Sequence, residues 1–153
     1  MFENMYPFWA GVISLVAAQL LKPIIYYIVK KDWNPHLIGE SGGFPSSHSA
    51  LVSALTLAVG LQESFTSTIF AITAAFSVVI IYDAANVRYY SGVNIKIVKQ
   101  LLKDLQEQTD ITLNNPVYKL KTKEVLGHRW FEVFGGIILG VIIAISATTA
   151  IFF

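Results

Sequence analysis

The stretch Phe131 to Phe153, FEVFGGIILGVIIAISATTAIFF, carries a single charged residue, Glu132. A helix needs about 20 mostly apolar residues to cross the hydrocarbon of a bilayer. This stretch has that length and almost no polarity, so it reads as a transmembrane helix, and it decides the fold class. A second long apolar run, from Tyr6 to Val29, is broken only by Lys22. Two shorter runs lie between them, Ser46 to Leu61 and Ser67 to Tyr82, the latter extendable to Val87. The short runs can span if their polar ends continue the helix or face a wet cavity.

Composition agrees. The 153 residues are 54% hydrophobic and 14% charged, with a mean hydropathy of +0.57. Soluble domains carry about 25% charged residues, so the charges here are too few to coat a surface in water. A net charge of +1 gives no argument for nucleic acid, and the absence of cysteine excludes disulfides and thiolate metal sites. The N-terminus, Met1-Phe2-Glu3-Asn4, lacks the basic region of a cleaved signal peptide, so the first run is expected to be retained.

The expectation is an all-α integral membrane protein, a single membrane domain over 1–153 with spans at about 6–29, 46–61, 67–87 and 131–153. Between the last two, Ile97, Val98, Leu101, Leu102 and Leu105 recur at helical spacing among Lys96, Lys99, Lys103 and Asp104. That pattern predicts an amphipathic helix over about 94–108, in the membrane interface or against the bundle. A loop over 109–124 follows, with a turn at Asn114-Asn115-Pro116. All 11 Lys and Arg residues lie in the first and third connections or at Lys22 near a span end. The positive-inside rule makes that side cytoplasmic in a cell membrane and puts both termini outside. Trp33, Tyr89, Tyr90 and Trp130 fit the interfacial aromatic belt. Gly135, Gly136 and Gly140 offer a small-residue face on which a homodimer could form.

The chemistry-bearing residues stand at four span ends. In Gly42-Gly43-Phe44-Pro45-Ser46-Ser47-His48, two glycines allow a sharp turn and close approach to a ligand. Ser46 or Ser47 then caps a helix whose N-terminus suits a phosphate. His48, in the first turn, is placed to donate a proton; the plain alternative is an ordinary capped helix start. His128 and Glu132, four apart, share a helix face, and a carboxylate on one ring nitrogen leaves the other free to attack. Lys22 in an apolar run is costly unless functional, or else snorkels to the interface. Arg88 could clamp phosphate oxygens, with Asp83 as its support or as a plain ion-pair partner. Asp83 lacks a second acidic residue at metal-ligand spacing, so no metal and no cofactor are expected.

These segments resemble the phosphatidic acid phosphatase type 2 superfamily, which includes the vanadium-dependent haloperoxidases. More closely they resemble its small divergent bacterial branch. The resemblance is carried by Lys22-Pro23, by Gly42 to Ala50, by Tyr82-Asp-Ala-Ala-Asn-Val-Arg88 and by Leu126-Gly-His-Arg-Trp-Phe-Glu-Val133. It implies that Lys22 and Arg88 hold phosphate oxygens and that Ser46 and Ser47 complete the cradle. Gly42, Gly43 and Asp83 would support it. His128 would be a nucleophile oriented by Glu132, and His48 the acid on the leaving group. The chain departs from the superfamily pattern at several points. Val29 stands where an arginine is expected, with Lys30 its nearest replacement; Ser47 replaces a glycine; Glu132 replaces an aspartate; and 39 residues separate Arg88 from His128 where five are usual.

The implied function is a membrane phosphatase or phosphotransferase acting on a lipid phosphate or diphosphate through a phosphohistidine. The alternative is a lipid-phosphate or anion binding or transport protein that keeps the pocket without catalysis. A third reading is a structural role in which the cations touch only anionic headgroups of membrane lipids.

Overall fold

The computed structural model describes residues 5–40, 42–108 and 127–152. The whole of the loop expected over 109–124 therefore lies outside the described residues, as does residue 41 just before the Gly42 turn. Among the described residues the fold is all-α. Helix α1 spans Tyr6–Lys30, a 3-10 turn covers Pro35–Gly39, and α2 spans Ser47–Glu63. Helix α3 spans Thr68–Tyr82, a π turn covers Asp83–Val87, α4 spans Arg88–Gln108 and α5 spans Trp130–Phe152.

Local signals explain the ends. Pro7 sits in the first turn of α1, where a missing N–H costs nothing. Ser46 and Ser67 cap α2 and α3, their hydroxyls accepting from Ser49 N and Phe70 N. Pro23, inside α1, deprives the Gln19 carbonyl of its helical donor one residue from Lys22.

The packing is that of a protein solvated by lipid. Large side chains point outward all along α1, α3 and α5: Phe8, Ile13, Leu20, Phe76, Val78, Val79, Phe134 and Ile142 are all about half exposed or more. The interior is built from small residues, among them Ala10, Ala18, Ala50, Ala54, Ala58 and Ala144, with Ser14, Ser46 and Ser49. In lipid an apolar side chain gains nothing by hiding, and helices associate through close backbone approach instead. Helix α2 is the centre of this arrangement, in contact with α1, α3 and α5, while α1 also touches α5.

Gly136 and Gly140 lie inside the α2–α5 contact. A Cβ at Gly136 would strike the Ser46 carbonyl, and one at Gly140 the Ala50 carbonyl. Gly135 is covered by the Phe44 ring. Gly136 and Gly140 therefore serve the close approach of α5 to α2 within the chain.

Helices α1, α5 and the run Thr68–Leu105 are long and apolar enough to cross a membrane. At 17 residues, α2 is about 25 Å long, short of the roughly 30 Å hydrocarbon core. Its companions surround it, so its polar N-terminus meets protein rather than lipid.

The amphipathic segment differs from expectation in its attachment. It does not follow a break but continues α3 through the π turn, beginning at Arg88 rather than near residue 94. The 38-residue run Thr68–Leu105 would measure about 57 Å if straight, nearly twice the hydrocarbon thickness. Its C-terminal part, with Lys96, Lys99 and Lys103, therefore leaves the apolar layer. The π turn explains why hydropathy reads a boundary where the backbone has none: the polarity changes while the helical hydrogen bonding continues.

Candidate functional site

The site is built where α2 and α5 begin and where α3 passes into α4. The π turn is the joint. Arg88 N–H bonds back to the Asp83 carbonyl, five residues earlier instead of four. The widened turn offers carbonyls to an outside partner, and the segment before α5 takes them. His128 N–H donates to the Ala84 carbonyl at 3.0 Å and Gly127 N–H to the Arg88 carbonyl at 3.3 Å. Gly127 is required there because any Cβ would collide with the backbone of Arg88 and Tyr89. Residues 88 and 128, far apart in sequence, thus meet through backbone hydrogen bonds. Buried Ala84 and Ala85 make the close approach possible.

One further backbone bond ties the start of α2 to α5. Ser46 N–H donates to the Glu132 carbonyl at 2.9 Å. The Ser46 hydroxyl accepts from Ser49 N–H at 3.3 Å and from the Ser49 hydroxyl at 3.0 Å. Phe44 stacks on Phe131, ring centroids 5.8 Å apart. The two motif segments, 42–48 and 127–132, are one packed unit.

Within that unit His128 is 1% exposed. Its Nδ1 lies 2.9 Å from Glu132 Oε2. A carboxylate accepts, so Nδ1 carries the proton of the neutral ring and Nε2 holds the lone pair. That Nε2 is buried and has no hydrogen-bond partner. Buried polar atoms are almost always paired, so an unpartnered ring nitrogen in a polar site marks a place for a ligand. Glu132 also accepts from Arg129 N–H at 3.3 Å, the reciprocal contact of a capping box at the start of α5. One carboxylate thereby caps the helix and sets the histidine tautomer.

His48, half-buried in the first turn of α2, faces His128 with ring centroids 6.4 Å apart, edge to face. Arg88, His128, Lys22 and Asp83 all lie close enough to His48 to act on its charge. Lys22 is 3% exposed, so it does not snorkel; its Nζ donates to the Glu40 carbonyl at 2.8 Å and feels the Glu132 charge. Gly43 adopts φ of +92° over the Lys22 side chain, a backbone state that favours glycine. Arg88 Nε donates to Asp83 Oδ2 at 2.7 Å, both side chains well exposed.

The structure thus brings Lys22, the Gly42–His48 turn, Asp83, Arg88, His128 and Glu132 to one place. It does not bring Lys30, which is exposed at the last position of α1, eight residues and about 12 Å of helix rise beyond Lys22. Ser46 differs from the expected cradle: its N–H and hydroxyl are engaged with Glu132 and Ser49. The N–H groups of Ser47 and His48, in the first turn of α2, are the helix-end donors left over. Spacing could not have found three participants: the Glu40 and Ala84 carbonyls, which are main-chain, and Ser49, which reads as a plain helical serine.

The Divergent PAP2 family profile matches residues 3–143. The "Uncharacterized membrane protein YuiD" of Bacillus subtilis (strain 168) is 34% identical over 147 residues, 92% of each chain. No solved structure matches.

Proposed function

The chain belongs to the Divergent PAP2 family, and on that footing we propose that it is a membrane phosphatase or phosphotransferase acting on lipid phosphates through a phosphohistidine on His128. The observation that carries this reading is the His128 ring, tautomer set by Glu132 and Nε2 unpartnered beside His48. In the proposed reaction the Nε2 lone pair attacks phosphorus and an N–P bond forms. The bond from phosphorus to the leaving oxygen breaks, and His48 gives that oxygen a proton. Water then attacks the phosphohistidine, His48 takes its proton, and phosphate leaves with His128 restored. Lys22, Arg88 and the first-turn N–H groups of α2 stabilise the charge that builds on the phosphoryl oxygens. Arg88 exchanges its Asp83 contact, and Lys22 its Glu40 contact, for the phosphate.

One observation favours a second reading, anion binding without turnover: His128 Nε2 is enclosed, so a phosphate reaches it only after the pocket opens. Phosphate release from a short-chain lipid phosphate separates the two. Under the catalytic reading His48→Ala lowers kcat about 10²- to 10⁴-fold and His128→Asn abolishes turnover, while both variants still bind vanadate and keep their helicity. Vanadate binding by a wild-type protein that releases no phosphate would establish the binding reading instead.

A further inference from the structure

An open cleft of about 230 Å³ adjoins the site, lined by Asn86, Tyr89 and Tyr90 on one side and by His128, Arg129 and Trp130 on the other. It shares His128 with the phosphate pocket but contains none of that pocket's other groups. Among the described residues the Arg129 side chain has no hydrogen bond or ion pair, in contrast to Arg88, paired with Asp83, and Lys22, held by Glu40. The Asn86 amide is likewise without a partner. The Arg129 residue is exposed, and its backbone N–H is held by the Glu132 carboxylate at the start of α5, which fixes where the side chain leaves the main chain. Its sequence neighbours are the buried His128 and the half-exposed Trp130.

Resting on the phosphatase reading, we propose that this cleft holds the part of the substrate that is not transferred. Arg129 binds a second anionic group there, so that diphosphates are preferred to matched monophosphates. Ligand pockets usually measure about 300–1,000 Å³; this one is sized for a headgroup, not a lipid chain. Its chemistry suits an oxyanion: a guanidinium fork and an amide supply donors, while aromatic walls lower the local dielectric and strengthen each contact. Exposed Tyr90 and Trp130 on the rim are residue types that favour the membrane interface, so a chain attached to the headgroup can run into lipid. The reaction balances with this placement. His128 Nε2 bonds to the terminal phosphorus, the bridging P–O bond breaks, and the bridging oxygen leaves with its electron pair and the His48 proton. The departing monophosphate stays on Arg129 until release.

The test uses the full chain in detergent micelles with farnesyl diphosphate and farnesyl monophosphate, which differ only in the second phosphate. Expected is a kcat/KM ratio of about tenfold or more in favour of the diphosphate, as a charge-assisted hydrogen bond supplies. R129Q brings the ratio close to one, R129K keeps part of it, and K103Q, on α4 in an ion pair with Glu107, leaves it unchanged. A wild-type ratio near one, or an R129Q variant that loses both substrates equally, would overturn the proposal and make Arg129 a membrane-surface contact. Thermal stabilisation by inorganic pyrophosphate and by orthophosphate keeps the two levels separable. If neither farnesyl substrate turns over, the phosphatase reading fails, and the anion comparison decides this one. A pyrophosphate preference that R129Q removes supports the cleft; equal or absent stabilisation overturns it.

Discussion

At the residue scale, Glu132 does two jobs that a single substitution can separate. Its carboxylate caps α5 through Arg129 N–H and holds His128 Nδ1–H. Glutamine caps a helix nearly as well as glutamate but offers an amide donor that can turn the histidine to its other tautomer. Glu132→Gln is therefore expected to leave thermal stability within about 1 kcal/mol of wild type while lowering phosphate release about 10²-fold or more, measured as kcat with a melting curve on the same preparation. The pair itself was legible in the sequence, because four-residue spacing on a helix forces a shared face. Lys22 was legible as functional but not its partner, since a main-chain carbonyl at Glu40 has no signature. Arg129 was not legible at all: nothing in its spacing distinguishes it from a juxtamembrane charge, and only the cleft beside it does.

At the element scale, the π turn Asp83–Val87 reunites a motif that 39 intervening residues divide. Hydropathy could not reveal it. A helix widened by one residue keeps its apolar composition, and the alanine pair Ala84-Ala85 does not mark it, since α3 carries another pair at Ala74-Ala75. Gly127 is the weak point of the joint. Gly127→Ala must push His128 away from the Ala84 carbonyl, because the added methyl meets main chain and not a movable side chain. Phosphate release should fall about as far as in His128→Asn, while helix content stays wild type by circular dichroism. Unchanged kcat in this variant would show that the bonds from 127 and 128 to the π turn do not position the histidine. The amphipathic character of 94–108 was readable from period alone; its continuity with α3 was not, since continuity is a property of backbone hydrogen bonds that polarity does not encode.

At the scale of the whole molecule, the four segments that bear the site converge because α2 is central and short. Apolar length and the paucity of charge were enough to read an all-α membrane bundle. The small-residue interior was visible as glycine and alanine but not its purpose: Gly136 and Gly140 let α5 lie against α2. The distribution of Lys and Arg predicts that the pocket faces the cytoplasm. Because the chain has no cysteine, single replacements report orientation cleanly. His36→Cys, exposed on the pocket side, should be protected from an impermeant maleimide in intact cells, and Thr66→Cys, exposed in the α2–α3 link, should be labelled. The reverse pattern would place the pocket outside.

Covalent chemistry at His128 is the centre of the proposed reaction. Rapid-quench labelling with a ³²P-labelled lipid phosphate tests it most directly. Expected is acid-labile, base-stable label on the peptide containing His128, absent from His128→Asn and accumulating in wild type at a rate matching phosphate release. Steady turnover with no label on that peptide would contradict it.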